Sequence, residues 1–583
     1  MGISSFNATL IQTDMSKSPC NLSKFLAPTA LVFLATAIAT ADEVDHTPAY
    51  HEQTLTLLRS SDDVIPPSVD VHRVTAAYNR EAIIPPMCYT KTEGEFNPCY
   101  VCHQNPVDGR ENTMGNGGLQ LAYSFSDVGL DNHWSNLLED RTARVAQISD
   151  DEILQWINQD NYTALAPRLK NAGFNGWIPD LENLQLGAAA FDDDGFARDG
   201  SHWIAFNYKP FPSTFWPTNG STDDVMIRLA PAYRTDKKGH YVRDIYLTNL
   251  AVAEANLKQL DSITTLPIDE RTVGRDLNND GRLDTVRKIT ALDGYVGAAE
   301  THFLQQGTYP QGTEFLHTVR YLGFADDGTI QPSRRMKEVR YMKKQVAHPL
   351  IALQEYYREE GYDKDAGYLP GYTYLGDHGL DNGMGWSVSG FIEDRHGQLR
   401  AYTYEENLAC MGCHNSIGST IDKTFAFPRK LDGAAGYGYI DLTRIHDAPN
   451  RGETRGEILT YLERVGGGGE FRSNPEMRRR WFTDDGTVKV EAVQNAASVY
   501  ELIAPSKQRA LALNKAYKVI VEDQDYIYGK DATVTPPENV YQRVDNDNAP
   551  TLPPEKYYSW DIRLDWTRTL PGGPSGKQRS TTR

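Results

Sequence analysis

Two segments of the chain share one pattern: Cys99-Tyr100-Val101-Cys102-His103 and Cys410-Met411-Gly412-Cys413-His414. The C-x-x-C-H spacing suits covalent attachment of haem. Two thiols add across the two vinyl groups on one porphyrin edge. The adjoining imidazole, His103 or His414, then lies beneath the iron as its proximal ligand. Cys99, Cys102, Cys410 and Cys413 are therefore expected to hold two haem c groups. A redox dithiol needs no histidine in the fifth position. A tetrahedral zinc site wants four ligands close together, and the two pairs lie about three hundred residues apart.

A second protein ligand on each iron would separate an electron carrier from a catalyst, because an open position admits small molecules to the metal. For the first motif the nearby candidates are Met114 and His133. For the second they are His378, Met384, His396 and His446, and a distant segment such as His317 is equally eligible. The sequence does not choose among them. Cys88, eleven residues before the first motif, has no thioether role. A buried inert thiol, an intermolecular disulfide and a thiolate near iron are its three readings.

A different chemistry is suggested by Asp276-Leu277-Asn278-Asn279-Asp280-Gly281-Arg282-Leu283-Asp284. Oxygens from Asp276, Asn278 and Asp280, the Arg282 carbonyl and Asp284 match the first part of an EF-hand loop. Arg287 stands where the bidentate Glu would be, so a shortened loop holding structural Ca²⁺ is expected, with a metal-free Asx turn as the alternative. The flanking Val286 and Ile289 read as strand. Asp192-Asp193-Asp194-Gly195 reads as a plain turn.

The elements that must position these groups follow from the rest of the sequence. Lys17 and Lys24 precede an apolar run from Phe25 to Ala39, and Ala39-Thr40-Ala41 forms a cleavage site, so residues 1–41 read as an export signal. A periplasmic or secreted mature chain with no membrane span is the expectation. A net charge of −19 disfavours nucleic acid. The most basic stretch, Lys337–Lys344, reads as a solvated helix face. The chain divides into a first haem region (42–185), a β-rich region with the Asp-rich loop (186–345), a second haem region (346–450), a helical region (451–570) and a disordered tail (571–583). Trp203–Tyr208 and Asp244–Thr248 read as strands, and Ala325-Asp326-Asp327-Gly328 as a hairpin turn. The helix expected after Pro505-Ser506 runs to Val521. The fold class is α+β: mostly helical and loop-built haem regions around a β-rich middle, with much irregular structure.

The two motifs resemble those of the c-type cytochromes, and the long dihaem members of that group in particular. Ser149–Ile157 looks like the closing helix of a small cytochrome c domain: Ser149 and Glu152 form a capping box, and Ile153, Trp156 and Ile157 share one face. The separation of the motifs is unlike that of dihaem peroxidases. The resemblance implies an exported electron carrier working between redox proteins. The alternative is a dihaem oxidoreductase in which one haem relays electrons to an open, catalytic one.

Overall fold

A computed structural model describes residues 79–568, apart from 106, 108–114, 116, 121–124, 213 and 472. The expected signal segment, Met114 and the tail from 571 fall outside the described residues.

The fold is α+β, centred on an eight-stranded antiparallel sheet. Its strands are β1 (Ile204–Ala205), β2 (Thr222–Arg228), β5 (Glu314–Phe324), β6 (Ile330–Lys344), β7 (Thr373–Tyr374), β8 (Leu380–Asp381), β9 (Trp386–Glu393) and β10 (Leu399–Ala401). A separate hairpin pairs β3 (Ile263–Asp269) with β4 (Thr285–Ile289). The order across the large sheet is β1-β2-β5-β6-β9-β8-β7, with β10 also paired to β9. The sheet thus crosses the boundary expected at residue 345. Its longest ladder, β5 with β6, closes through the anticipated turn, where Gly328 takes a φ of +84° that suits it to an Asp-Gly corner.

Side chains alternate between the two faces of a strand, and residues opposite each other in the ladder share a face. His317 pairs with Val225 on one side and with Arg340 on the other. The rows on either side of it carry Phe315 and Met342, and Val319 and Glu338. The opposite face presents Met226, Leu316, Val339, Tyr341 and Phe391, which pack on Tyr162, Leu165, Leu169, Leu181 and Leu184. One face is therefore sealed by the segment 162–205, and the other looks towards the second C-x-x-C-H segment.

Three local expectations are corrected. Asp244–Thr248 belongs to a helix, Arg243–Lys258, that is buried on nearly all sides. Leu247, Leu250, Ala251, Ala253 and Ala255 supply good helix formers, and burial all round removes the amphipathic signature that would have revealed it. Lys337–Lys344 lies in β6, at the centre of the sheet. Its charges are met inside the fold: Lys344 pairs with Asp422, and the Lys337 amine donates to the Gly220 carbonyl at 2.7 Å. The helix Asp150–Ile157 forms with Ser149 accepting the Glu152 amide at 3.1 Å. It closes no small haem domain, since Ile153 and Ile157 pack with Tyr321, Ile392 and Tyr517. The later helix, Lys507–Asp523, begins at Ser506 as expected.

Candidate functional site

The second motif starts at the end of a helix, Tyr404–Met411. Thr403 and Glu406 form a reciprocal capping box at its start. Glu406 also accepts two hydrogen bonds of 2.8 Å from the buried Arg400, so the helix is fixed by a bidentate ion pair. After one more residue, Gly412, the chain must pass close to the segment before the first motif. A Cβ on Gly412 would collide with the Ile83 carbonyl and the Pro85 ring. This contact joins two parts of the sequence that nothing in their local pattern connects.

His414 is half-buried and aimed. Its Nδ1 lies 2.7 Å from the carbonyl oxygen of Lys423. A carbonyl can only accept, so Nδ1 carries the proton and Nε2 keeps a free lone pair. Metal-binding histidines are held by their other nitrogen in this way. Burial pushes the imidazole pKa down to about 4, and Arg340 and His317 add to the effect. The ring is neutral at physiological pH.

The carbonyl that orients it sits in a tight turn, Ile421–Thr424, whose central residues Asp422 and Lys423 have φ of +45° and +67°. Two successive non-glycine residues in that region are strained. Asp422 is anchored by Lys344 and by the Tyr309 amide, which it accepts at 2.8 Å. Sequence reasoning missed Asp422, Lys423 and Lys344, because a turn of this kind is ordinarily signalled by Asn-Gly.

Around His414, Cys410 and Cys413 lies a cavity of about 240 Å³. Its floor is one face of the sheet: Asp223 and Val225 of β2, Phe315, His317 and Val319 of β5, Glu338, Arg340 and Met342 of β6. Three buried polar atoms on its lining have no hydrogen-bond partner: Asp223 Oδ1, His317 Nε2 and the Tyr517 hydroxyl. Orphaned polar atoms in a buried wall are uncommon in folded proteins, and they mark a place built for something further.

The first motif is held differently. Cys99 lies in a single 3₁₀ turn, Pro98–Val101, where the Asn97 side chain accepts the Cys99 amide at 3.3 Å. The His103 amide donates back to the Cys99 carbonyl at 2.9 Å. Cys99, Cys102 and His103 line an apolar cavity of about 100 Å³ together with Cys88, Met87, Phe125 and Gly412. Pro85 and Met87 belong to the walls of both cavities. The two motifs are therefore neighbours in space. Burial raises every thiol here, Cys99 and Cys413 to about 12, with Cys88, Cys102 and Cys410 also raised. Thiols so protonated are poor redox nucleophiles, which argues against a thioredoxin-like dithiol. Cys88 is a free thiol in the wall of the first cavity.

Of the other candidate ligands among the described residues, only His317 reaches either cavity. His133 Nε2 donates to the Val128 carbonyl at 3.1 Å in a surface turn. Met384 packs with Leu353 and Tyr357, and His446 stands edge-on to Trp566. His378 ends a short turn, Gly376–His378, and His396 sits in the Asp394 turn.

The expected calcium site is corrected. Asp276 accepts the Gly281 and Asp280 amides at 2.7 and 3.3 Å, and Asn278 also accepts the latter, at 3.0 Å. The Asp280 side chain takes the Arg282 amide at 2.9 Å. Asp284 donates its amide to the buried Glu270, which also takes the Leu277 amide. The oxygens that would have converged on a cation are engaged by the loop's own backbone, so the sequence builds an Asx turn between β3 and β4. Among the described residues, no group of three or more His, Cys, Asp or Glu side chains is placed to hold a metal ion. Asp192–Gly195 is a plain turn, with Asp192 accepting the Asp194 and Phe196 amides.

A family model described as "-like lipoprotein" matches residues 71–501. The chain belongs to this lipoprotein family and is thereby an exported protein of the cell envelope. It is 32% identical over 517 residues to an uncharacterized lipoprotein of Aquifex aeolicus (strain VF5), a match covering 78% of this chain and 86% of the relative. No solved structure matches. The resemblance to c-type cytochromes is corrected by this result: the family is a lipoprotein family. The physical reason is that C-x-x-C-H specifies a local reaction of five residues and carries no information about the several hundred around them. Among the described residues, no helix is long and apolar enough to cross a membrane.

Proposed function

We propose that each C-x-x-C-H segment of this lipoprotein-family chain holds a haem through two thioethers, and that the pair moves electrons between redox proteins of the cell envelope. The observation that carries the reading is the convergence of the motifs: segments about three hundred residues apart line adjoining cavities with shared walls. Two redox groups so close would exchange electrons with each other before either met an outside partner. The donor sets fit. Each cavity is lined by the two thiols and the histidine of its motif, and His414 is held as a neutral imidazole with Nε2 free. Bound haem would supply a one-electron couple. The protein's own contribution is to hold the ligands, exclude water and surround the group with low-dielectric walls.

Cleavage near Ala41 completes the reading, giving a mature chain that begins at Asp42 in the periplasm or outside the cell. The test is mass spectrometry of exported, acid-extracted and denatured protein. Two haem masses retained, one on each tryptic fragment carrying a Cys pair, are expected. Bare fragments from a host that matures haem proteins would end the proposal. Electrons entering the pair and leaving to small redox proteins, without turnover of peroxide, are the expected behaviour of the assembled protein.

A further inference from the structure

Resting on that reading, we infer that His317 is the second protein ligand of the haem held at Cys410, Cys413 and His414, so that this iron is closed on both sides by imidazole. Four observations point to it. His317 lies in the middle row of the sheet face that floors the second cavity, between Val225 and Arg340. The motif enters that cavity from the end of helix Tyr404–Met411, so the two histidines reach it from different layers of the fold. The buried Nε2 of His317 makes no hydrogen bond, with the Asp223 carboxylate 3.4 Å away as its charged neighbour. Finally, because that carboxylate stands on Nε2, it would orient the ring through Nε2 and leave Nδ1 as the nitrogen offered to the iron. A carboxylate beside a ligating histidine fixes its orientation and raises its basicity.

The competing donor is Met342, one row away on the same face. Its thioether neither leaves a buried polar atom unpaired nor has a carboxylate beside it. Other cavity residues have duties elsewhere: Glu338 binds Arg340 and the Tyr402 hydroxyl, and Lys337 donates to Gly220 and Ser221.

The position of His317 in the sheet makes the ligand rigid. It is held by backbone ladders on both sides, so the iron would keep one geometry in both oxidation states. That suits fast electron exchange and denies small oxidants a coordination site.

The experiment uses the full-length, haem-loaded protein and compares wild type with His317→Ala, His317→Met and Met342→Ala. Haem is counted per chain by denatured mass, and spin state is read by EPR and near-infrared magnetic circular dichroism. Wild type should show a bis-imidazole low-spin centre. In His317→Ala one of the two haems should become high-spin, with haem mass unchanged, and added imidazole should restore the low-spin signal. His317→Met should stay low-spin with a histidine–methionine signature. Met342→Ala should match wild type. Unchanged low-spin centres in His317→Ala, or a spin change that follows Met342→Ala instead, would overturn the assignment. Absence of haem mass on the wild-type fragment containing Cys410 would instead remove the reading on which it rests.

Discussion

The two C-x-x-C-H segments have the same residues at the same spacing, yet the fold mounts them in opposite ways. The second ends a capped helix whose Glu406 is locked to Arg400, and its histidine is aimed by a strained turn anchored through Asp422. The first occupies one 3₁₀ turn held by the Asn97 side chain, with a smaller cavity beside it. The second site is preorganised by secondary structure and buried charge, while the first is a single turn held by the Asn97 side chain and by backbone hydrogen bonds to the Pro550 and Tyr558 carbonyls at its ends. Identical chemistry at the level of five residues thus coexists with unequal rigidity.

The largest effect should come from breaking the lock of the second site. Glu406→Ala removes the partner of a fully buried Arg400 together with half of a capping box. A loss of about 3–5 kcal/mol is expected, read from the denaturation midpoint. A variant within about 1 kcal/mol of wild type would show that the helix is not fixed by this pair.

Gly412→Ala acts on the joint between the sites. The added methyl meets the Ile83 carbonyl and the Pro85 ring, and a cost of about 1–3 kcal/mol should follow from overpacking. Because the contact joins both motifs, the variant should also raise protease sensitivity around Pro85. If cleavage rises only near residue 412, the two sites are mechanically independent.

Lys337, in the wall of the second cavity, has its pKa pushed down to about 7 by burial. Between pH 7 and the usual lysine value the unfolded chain binds a proton that the folded chain does not. Stability should therefore rise with pH across that window, by up to about 1.4 kcal/mol per unit. Lys337→Met should flatten the rise. An equal slope in the two proteins would assign the pH dependence to other groups.

Asn97→Ala should have the smallest effect, about 1 kcal/mol, the ordinary value of a side-chain cap. It tests the other half of the comparison, since a much larger loss would mean that the first motif is as firmly mounted as the second.

Much of the local structure was legible in the residues. The turn at Ala325–Gly328, the Ser149 and Ser506 helix starts and the α+β class follow from short-range rules of spacing, capping and turn preference. These rules act over a few residues and survive any tertiary context that tolerates them. The calcium loop shows their limit. Oxygen spacing alone cannot say whether Asp276 and Asp280 turn towards a cation or towards their own backbone.

What only the tertiary structure decided is which distant residues meet. The adjacency of the motifs, the closing of Ile83 and Pro85 onto Gly412, and the placement of His317 in the floor beneath His414's cavity depend on strand order and register. So does the burial of Lys337 and Lys344 in a central strand, since a charged residue is readable as buried only once its partner is known. Sequence spacing fixes what a residue can do. The fold fixes what stands opposite it, because pairing across a sheet is set by long-range packing that no local pattern encodes.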